Sequence, residues 1–478
     1  MDAPMLQSAD SRPVVLFVSH PLTGHLTPAL RIAGELRSRG WSVYFLGPTA
    51  HRTRISASGV TFVPLQGLAD LDDLLYYSAD NPNPPVPNYA SLSWQHRALM
   101  DMKAHCIDPL PDQWNCFKRV LLDLHKRHPG RQVVVVSEAF FHGILPLYLG
   151  ANLPDGVPAP RTLCLSVTVP VIRSIDLPPF GYPFPFDQTA EGRARNAACW
   201  ERWEAKRIPL KKLLDEKLIE AGATHGLKGA FMSGANYLCH DRILQLGVPS
   251  FYHPRSDWPS KVKFVGIIPP AVKPPGGWNN LPVWWEDIVT QPVDAAGRKV
   301  VVVAQGTVEC DPHDLIIPTI QALAGRKDVL VVAILGRRGA TLPSTIDIPD
   351  NARIVDYLGY DAILPYAHCW VHNAGYGAVT HGIAHGVPVV VGGEGQDKTE
   401  NAKRVAYSGI GIDLGTPKPK MEDIKDALET VLADGIFQER VNVLKKEAQD
   451  LDCFHQVENA ITALVDLSGS KRNEVLIN

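Results

Sequence analysis

Apolar and polar positions along this chain fall into two successive alternating series. The first opens with VVLFVS (14–19), a short, β-branched-rich run with no polar break, the pattern of a strand covered on both faces. Behind it, HLTPALRIAGELRSRG (25–40) places Leu26, Leu30, Ala33 and Leu36 at helical spacing and stops at Gly40, a natural residue just past a helix end. WSVYFLG (41–47), VTFVPL (60–65), RQVVVVS (131–137) and PRTLCLSV (160–167) predict further strands between helical stretches. A second series runs through KVVVVAQGT (299–307), DVLVVAILG (328–336), ARIVDYL (352–358), CWVHN (369–373) and PVVVGG (388–393). Between them, VGIIPPAVKPPGGWNNLPVWWED (265–287) is rich in Pro, Gly and Trp. Proline continues neither a helix nor a central strand, so this stretch predicts a linker, packed by its tryptophans. The pattern therefore predicts an α/β fold of two doubly wound domains facing across a cleft, residues 1–265 and 288–450. A linker at 266–287 joins them, and a closing segment follows at 451–478.

Length and composition narrow this picture. At 478 residues the chain exceeds one ordinary core, which favours two domains. A net charge of -3 offers nothing to a nucleic acid or other polyanion. No stretch is apolar and long enough to span a bilayer, and the polar opening MDAPMLQSADSRP has no secretory signal, so a cytoplasmic location is expected. Eight cysteines without a CxxC pair suit a reduced compartment rather than a disulfide or zinc framework.

Candidate chemistry gathers at strand ends. In a parallel sheet, ligands are handled beyond the carboxyl ends of the strands. His20 and His25 stand there in SHPLTGHLTP, with His25 where the first helix begins. That positive helix end disfavours imidazolium and leaves a neutral ring able to accept a proton. In CWVHNAGYGAVTHGIAHGVPVVVGGEGQDKTENAKRV (369–405) a strand ends at VHN, Gly375 and Gly377 follow, and a helix begins near Ala378. Small residues there let backbone N–H groups approach an anion, and the helix start adds partial positive charge, so a phosphate or diphosphate is the expected guest. The glycines do not form G-x-G-x-x-G and no acidic ribose ligand follows in the usual place, which argues against a nicotinamide cofactor. Two insertions, YYSADNPNPPVPNYASLSWQ (76–95) and IDLPPFGYPFPFDQ (175–188), are too proline-rich for regular elements. Their aromatic content fits either pocket walls, for an apolar or aromatic ligand, or packed surface loops.

Taken together, HPLTGHLTP, VVVAQGT, DYLGYDAILPYAHCWVHNAGYGAVTHGIAHGVP and QDKTENA resemble the UDP-glycosyltransferase family, which has the GT-B fold and glycosylates small lipophilic acceptors. The wording around QDKTENAKRVAYSGIGIDLGT is closer to fungal members than to plant ones. The resemblance covers nearly the whole chain apart from the acceptor-side insertions. It implies an N-terminal acceptor-binding domain, a C-terminal donor-binding domain and a last helix packing back toward the first domain.

The resemblance also implies roles. The family's general base falls on His25, and Glu138 stands where an aspartate usually supports that base, with one methylene more and its geometry open. On the donor side, Gly306 and Thr307 match a loop used against the phosphates. Tyr357 aligns with the residue that stacks on uracil, and Tyr360 with its polar neighbour. The diphosphate is to be held by His372, by Asn373, or by the backbone N–H groups of Gly375, Tyr376 and Gly377, the last being favoured. His381 replaces a ribose-gripping glutamate. Asp397 and Lys398 replace the sugar-reading Asp-Gln pair, with Asn401 after them, which leaves the donor sugar open beyond a default of UDP-glucose. Next to the donor turn no aspartate cluster has metal spacing, and no Cys/His ligand set is evident, so metal independence and no bound cofactor are expected. The implied activity is inverting transfer of a sugar to a hydroxyl of a small lipophilic or phenolic acceptor, of the kind used in natural-product glycosylation. A nucleotide-sugar 2-epimerase and a non-catalytic nucleotide-sugar-binding relative are the alternatives.

Overall fold

Two wholly parallel sheets carry the chain. The first has strand order β3-β2-β1-β4-β5-β6-β7, built from β1 (Val14–Val18), β2 (Val43–Gly47), β3 (Thr61–Pro64), β4 (Val133–Glu138), β5 (Arg161–Ser166), β6 (Arg242–Gln245) and β7 (Val262–Phe264). The second has order β10-β9-β8-β11-β12-β13, from β8 (Lys299–Ala304), β9 (Val329–Ile334), β10 (Ala352–Val355), β11 (Cys369–His372), β12 (Val389–Val391) and β13 (Gly411–Asp413). The computed structural model describes residues 12–77, 92–272, 278, 281–289, 298–306 and 311–465. Thr307 and residues 78–91 of the first insertion lie outside them.

The continuous apolar runs are explained by helices on both faces of each sheet. Val14, Leu16 and Val18 enter one core, while Val15 and Phe17 enter the core on the opposite face. In the second sheet Val300, Val302 and Ala304 divide from Val301 and Val303 in the same way. The period of two persists, but both phases are apolar because neither face meets water. β6 (RILQ), β7 (VKF) and β13 (GID) are the strands the apolar pattern did not predict. Each has only three or four residues, too short to show a period.

The order of each sheet fixes where a ligand belongs. The order in which strands are laid down reverses between β1 and β4 in the first sheet and between β8 and β11 in the second, which opens a crevice at the carboxyl ends of those pairs. His25 and Glu138 lie at the first crevice, Gly306 and the His372–Gly377 turn at the second.

The helix Cys453–Val465 packs on the first sheet. Val457, Ile461 and Leu464 share a core with Val15 and Phe17, and Glu458 receives Arg39 at 2.9 Å and the Trp41 indole N–H at 2.8 Å. The chain thus passes between the domains twice, and the two passages touch. Gly266, at φ +86°, pairs with Gly247 across a two-residue bridge. A Cβ on Gly266 would stand 3.0 Å from the Ala448 carbonyl oxygen and from Leu451 Cβ. Only a residue without a side chain fits there.

The second insertion lines a small pocket through Leu177, Pro178 and Phe180, and it also packs against the other domain. Lys403, on the helix Lys398–Ser408 of the second domain, donates to the Tyr182 carbonyl at 2.7 Å. Phe186 stacks on His253, whose other neighbour is Tyr407. Its aromatic residues therefore seal the seam between the domains. Among the described residues no helix is long and apolar enough to cross a membrane.

Candidate active site

His25 lies in the first turn of the helix Thr23–Ser38, immediately beyond β1. Asp73 holds the start of that helix by accepting from the Thr23 amide at 2.7 Å and the Thr23 hydroxyl at 3.1 Å. Glu138 is the last residue of β4, whose Ser137 is in register with Val18 of β1. The sheet itself therefore delivers the carboxylate beside the helix start. Glu138 Oε1 lies 2.9 Å from His25 Nδ1, and Oε2 accepts from the Phe140 amide at 3.1 Å. The extra methylene is taken up by this folded-back conformation. With Nδ1–H given to Glu138, Nε2 carries the lone pair.

Electrostatics depart from the sequence expectation. Burial works against a charged imidazole, but Glu138, its hydrogen bond, Asp397 and Asp73 outweigh it and raise the pKa of His25. The helix start does not keep this ring less basic than usual, because three carboxylates surround it.

Beside these carboxylates, the wall around His25 is aromatic. Phe140 meets it edge-on at 5.0 Å and His20 at 5.2 Å, and His20 in turn contacts His105. Tyr76 packs on His105 at 4.4 Å. His20 is buried, with Nδ1 accepting from the Leu22 amide, and burial followed by repulsion from His25 holds it neutral. Burial also lowers His105 and His142 to about 4.

Across the cleft, the helix Tyr376–His385 begins at Gly375, with no side chain capping it. Its first amides, of Tyr376, Gly377 and Ala378, have no intrahelical acceptor, since the first such bond runs from Val379 to the Gly375 carbonyl. The Asn373 side chain is engaged elsewhere, whereas His372 keeps a buried Nε2 without a hydrogen-bond partner. His372 is 1% exposed, its Nδ1 accepts from the Ala374 amide, and burial lowers its pKa to about 3. The Asn373 amide donates to the Gln305 carbonyl, which ties the turn to the strand before Gly306. Ala374 at φ +60° turns the backbone sharply, and Asn401 Nδ2 donates to its carbonyl at 2.8 Å. Asn401 thereby braces the turn from the helix Lys398–Ser408.

The remaining donor-side residues divide. Asp397 faces His25, and burial raises its carboxyl against the lowering influence of Asn401, Lys398 and His25. Lys398 is 5% exposed, not a solvated surface charge. Tyr357 is exposed, with the Arg338 guanidinium 4.7 Å from its ring centroid. Tyr360 packs on Trp370 at 4.7 Å, and burial pushes its hydroxyl up to about 12. Gly306, at φ +80°, has open space where a Cβ would be. The Tyr376 side chain points away from the turn, into the first domain. It donates to the Leu246 carbonyl, accepts from Gln245 Nε2 at 3.3 Å, and lies 2.7 Å from the Tyr252 hydroxyl.

Residues 320–464 match the model of the erythromycin biosynthesis protein CIII-like C-terminal domain. The chain is 34% identical to the UDP-glucosyltransferase 1 of Beauveria bassiana over 94% of both proteins. It is 33% identical to the UDP-glucosyltransferase A1 of Starmerella bombicola over 95% of this chain and 93% of that one. The chain belongs to the UDP-glycosyltransferase family. Its fold is GT-B. The crystal structure of the kitacinnamycin glycotransferase superposes on it with a TM-score of 0.67 at 18% identity, covering 95% of this chain and 99% of that one. This UDP-glycosyltransferase is accordingly an enzyme that transfers a sugar from a nucleotide sugar.

One constellation of this glycosyltransferase corrects the sequence reading. Asp361, His381 and His385 bring one ligand atom each to within 4.8 Å of one another, a histidine-containing set where none was evident. The signal was present in THGIAH, whose histidines stand four apart and so share a helix face. The carboxylate twenty residues earlier becomes a neighbour only through the fold.

Proposed function

We propose that this enzyme carries out inverting, metal-independent transfer of glucose from UDP-glucose to a hydroxyl of a small lipophilic or phenolic acceptor. The observation that carries the reading is the His25–Glu138 pair at 2.9 Å, set across the cleft from an uncapped helix start. His25 Nε2 takes the acceptor hydroxyl proton, and the oxygen attacks the anomeric carbon on the face opposite the diphosphate. The bond from that carbon to the diphosphate breaks, and UDP leaves with the electron pair. Glu138 stabilises the imidazolium so formed. The amides of Tyr376, Gly377 and Ala378 stand where the departing charge develops, and a helix start supports such charge without a cation. Aromatic rings and neutral imidazoles around His25 favour an apolar, aromatic acceptor over a charged one.

The test is incubation with UDP-glucose and a panel of phenols and lipophilic alcohols in EDTA. Mass spectrometry is expected to show hexose adducts at the rate seen without chelator, and NMR of the product a β-linkage. An α-linkage, or loss of turnover in EDTA, contradicts the proposed mechanism.

His381 is assigned to the ribose. Loss of one hydrogen bond of about 1 kcal/mol predicts that His381→Ala weakens UDP binding about fivefold with kcat nearly unchanged, measured by calorimetry and steady-state kinetics. An unchanged affinity removes His381 from the donor site.

A further inference from the structure

We propose that Asp361, His381 and His385 form a binding site for a divalent transition metal of the zinc class. Asp361 opens the short helical turn Tyr360–Ile363, and the two histidines lie one turn apart on the helix Tyr376–His385. Asp361 Oδ1 stands 2.9 Å from His385 Nε2 and 3.3 Å from His381 Nδ1. In a tetrahedral shell with zinc–ligand bonds of 2.0–2.2 Å, neighbouring ligand atoms stand about 3.4 Å apart, so these separations need little adjustment. Two imidazoles and one carboxylate select zinc, cobalt, nickel or copper over magnesium or calcium.

The surroundings are those of a built site. Asp361 Oδ2 accepts from the Ala271 amide of the interdomain linker at 3.0 Å, which fixes the carboxylate as an outer-shell partner does. The His385 and Asp361 side chains are 6% and 17% exposed, while His381 at 41% leaves a side open to solvent for entry and for a water in the remaining position. The two imidazole rings lie within 12° of parallel. A bound ion would join the linker, the turn after β10 and the helix at the donor crevice through a single centre. It plays no part in the transfer step and is compatible with turnover in chelator.

The test uses the full chain, stripped with chelator and kept free of nucleotide, so that it stands apart from the role of His381 toward ribose. Cobalt(II) is the probe. One equivalent per chain is expected to give the visible absorption of a low-coordinate imidazole–carboxylate site, displaced by zinc and not by magnesium. Asp361→Asn and His385→Ala are each expected to weaken zinc binding at least tenfold with unchanged circular dichroism. The more exposed His381→Ala supplies the same comparison should a buried variant fail to fold. A cobalt spectrum like that of the hydrated ion, or equal zinc affinity in the wild type and every folded variant, overturns the proposal.

Discussion

Alanine at position 25 is expected to lower kcat by about 10²–10⁴-fold, the usual contribution of a positioned general base. That equals about 3–5 kcal/mol of transition-state stabilisation. The donor should remain bound, because its diphosphate site belongs to the other domain and rests on backbone amides rather than on His25. UDP affinity by calorimetry is therefore expected to change less than twofold while product formation disappears. A variant that keeps substantial turnover would remove His25 from the chemistry. One that loses UDP affinity in parallel would give it a role in holding the cleft together instead.

Glutamine at position 138 tests the partner and carries a signed pH dependence. His25 acts in its neutral form, so activity climbs as pH rises through its pKa, which Glu138, Asp397 and Asp73 hold above the ordinary value of 6.5. The acid limb of kcat/KM in the wild type should accordingly lie above 6.5. Glu138→Gln removes the largest of these raising influences and leaves burial less opposed. The limb then moves to lower pH while kcat falls about ten- to a hundredfold, because the imidazolium formed during transfer loses its counter-charge. A merely structural Glu138 would lower activity without moving the limb. Stopped-assay rates across the pH range, with circular dichroism on the variant, separate the two outcomes.

Much of this architecture was legible because burial on both faces leaves a simple trace. Runs such as VVLFVS and KVVVVA can only be central strands, and their alternation with helices dictates parallel sheets and hence crevices at His25 and at the His372–Gly377 turn. The His25–Glu138 contact was legible as a pairing but not as a distance, since it depends on the register of β4 against β1 and on how glutamate folds its extra methylene. The turn at 372–377 is legible as a strand end followed by a helix start, and less so as a set of atoms. His372 and Asn373 look alike as phosphate ligands by position, yet the Asn373 amide is tied to the Gln305 carbonyl while His372 Nε2 stays buried without a partner. Tyr376 shows the same limit: a side chain next to a glycine-rich turn can face either way, and here it faces the other domain. For the 175–188 insertion, proline and aromatic content mark a packed loop or pocket wall without saying against what it packs. Asp361 escaped notice because a ligand set drawn from two elements has no spacing of its own.

The side-by-side passage of the chain at Gly266 and Leu451–Cys453 restricts how the halves can move. Two connections far apart would allow only flexing along the line joining them, whereas two that touch act as a single pivot at one corner. The Gly247–Gly266 bridge belongs to that corner, and Tyr376 reaches it, because a Cβ on Gly247 would come within 2.7 Å of the tyrosine hydroxyl. The first residue of the helix Tyr376–His385 is thereby anchored at that corner. Any opening of the cleft about this corner would move the parts farthest from it most and the start of this helix least.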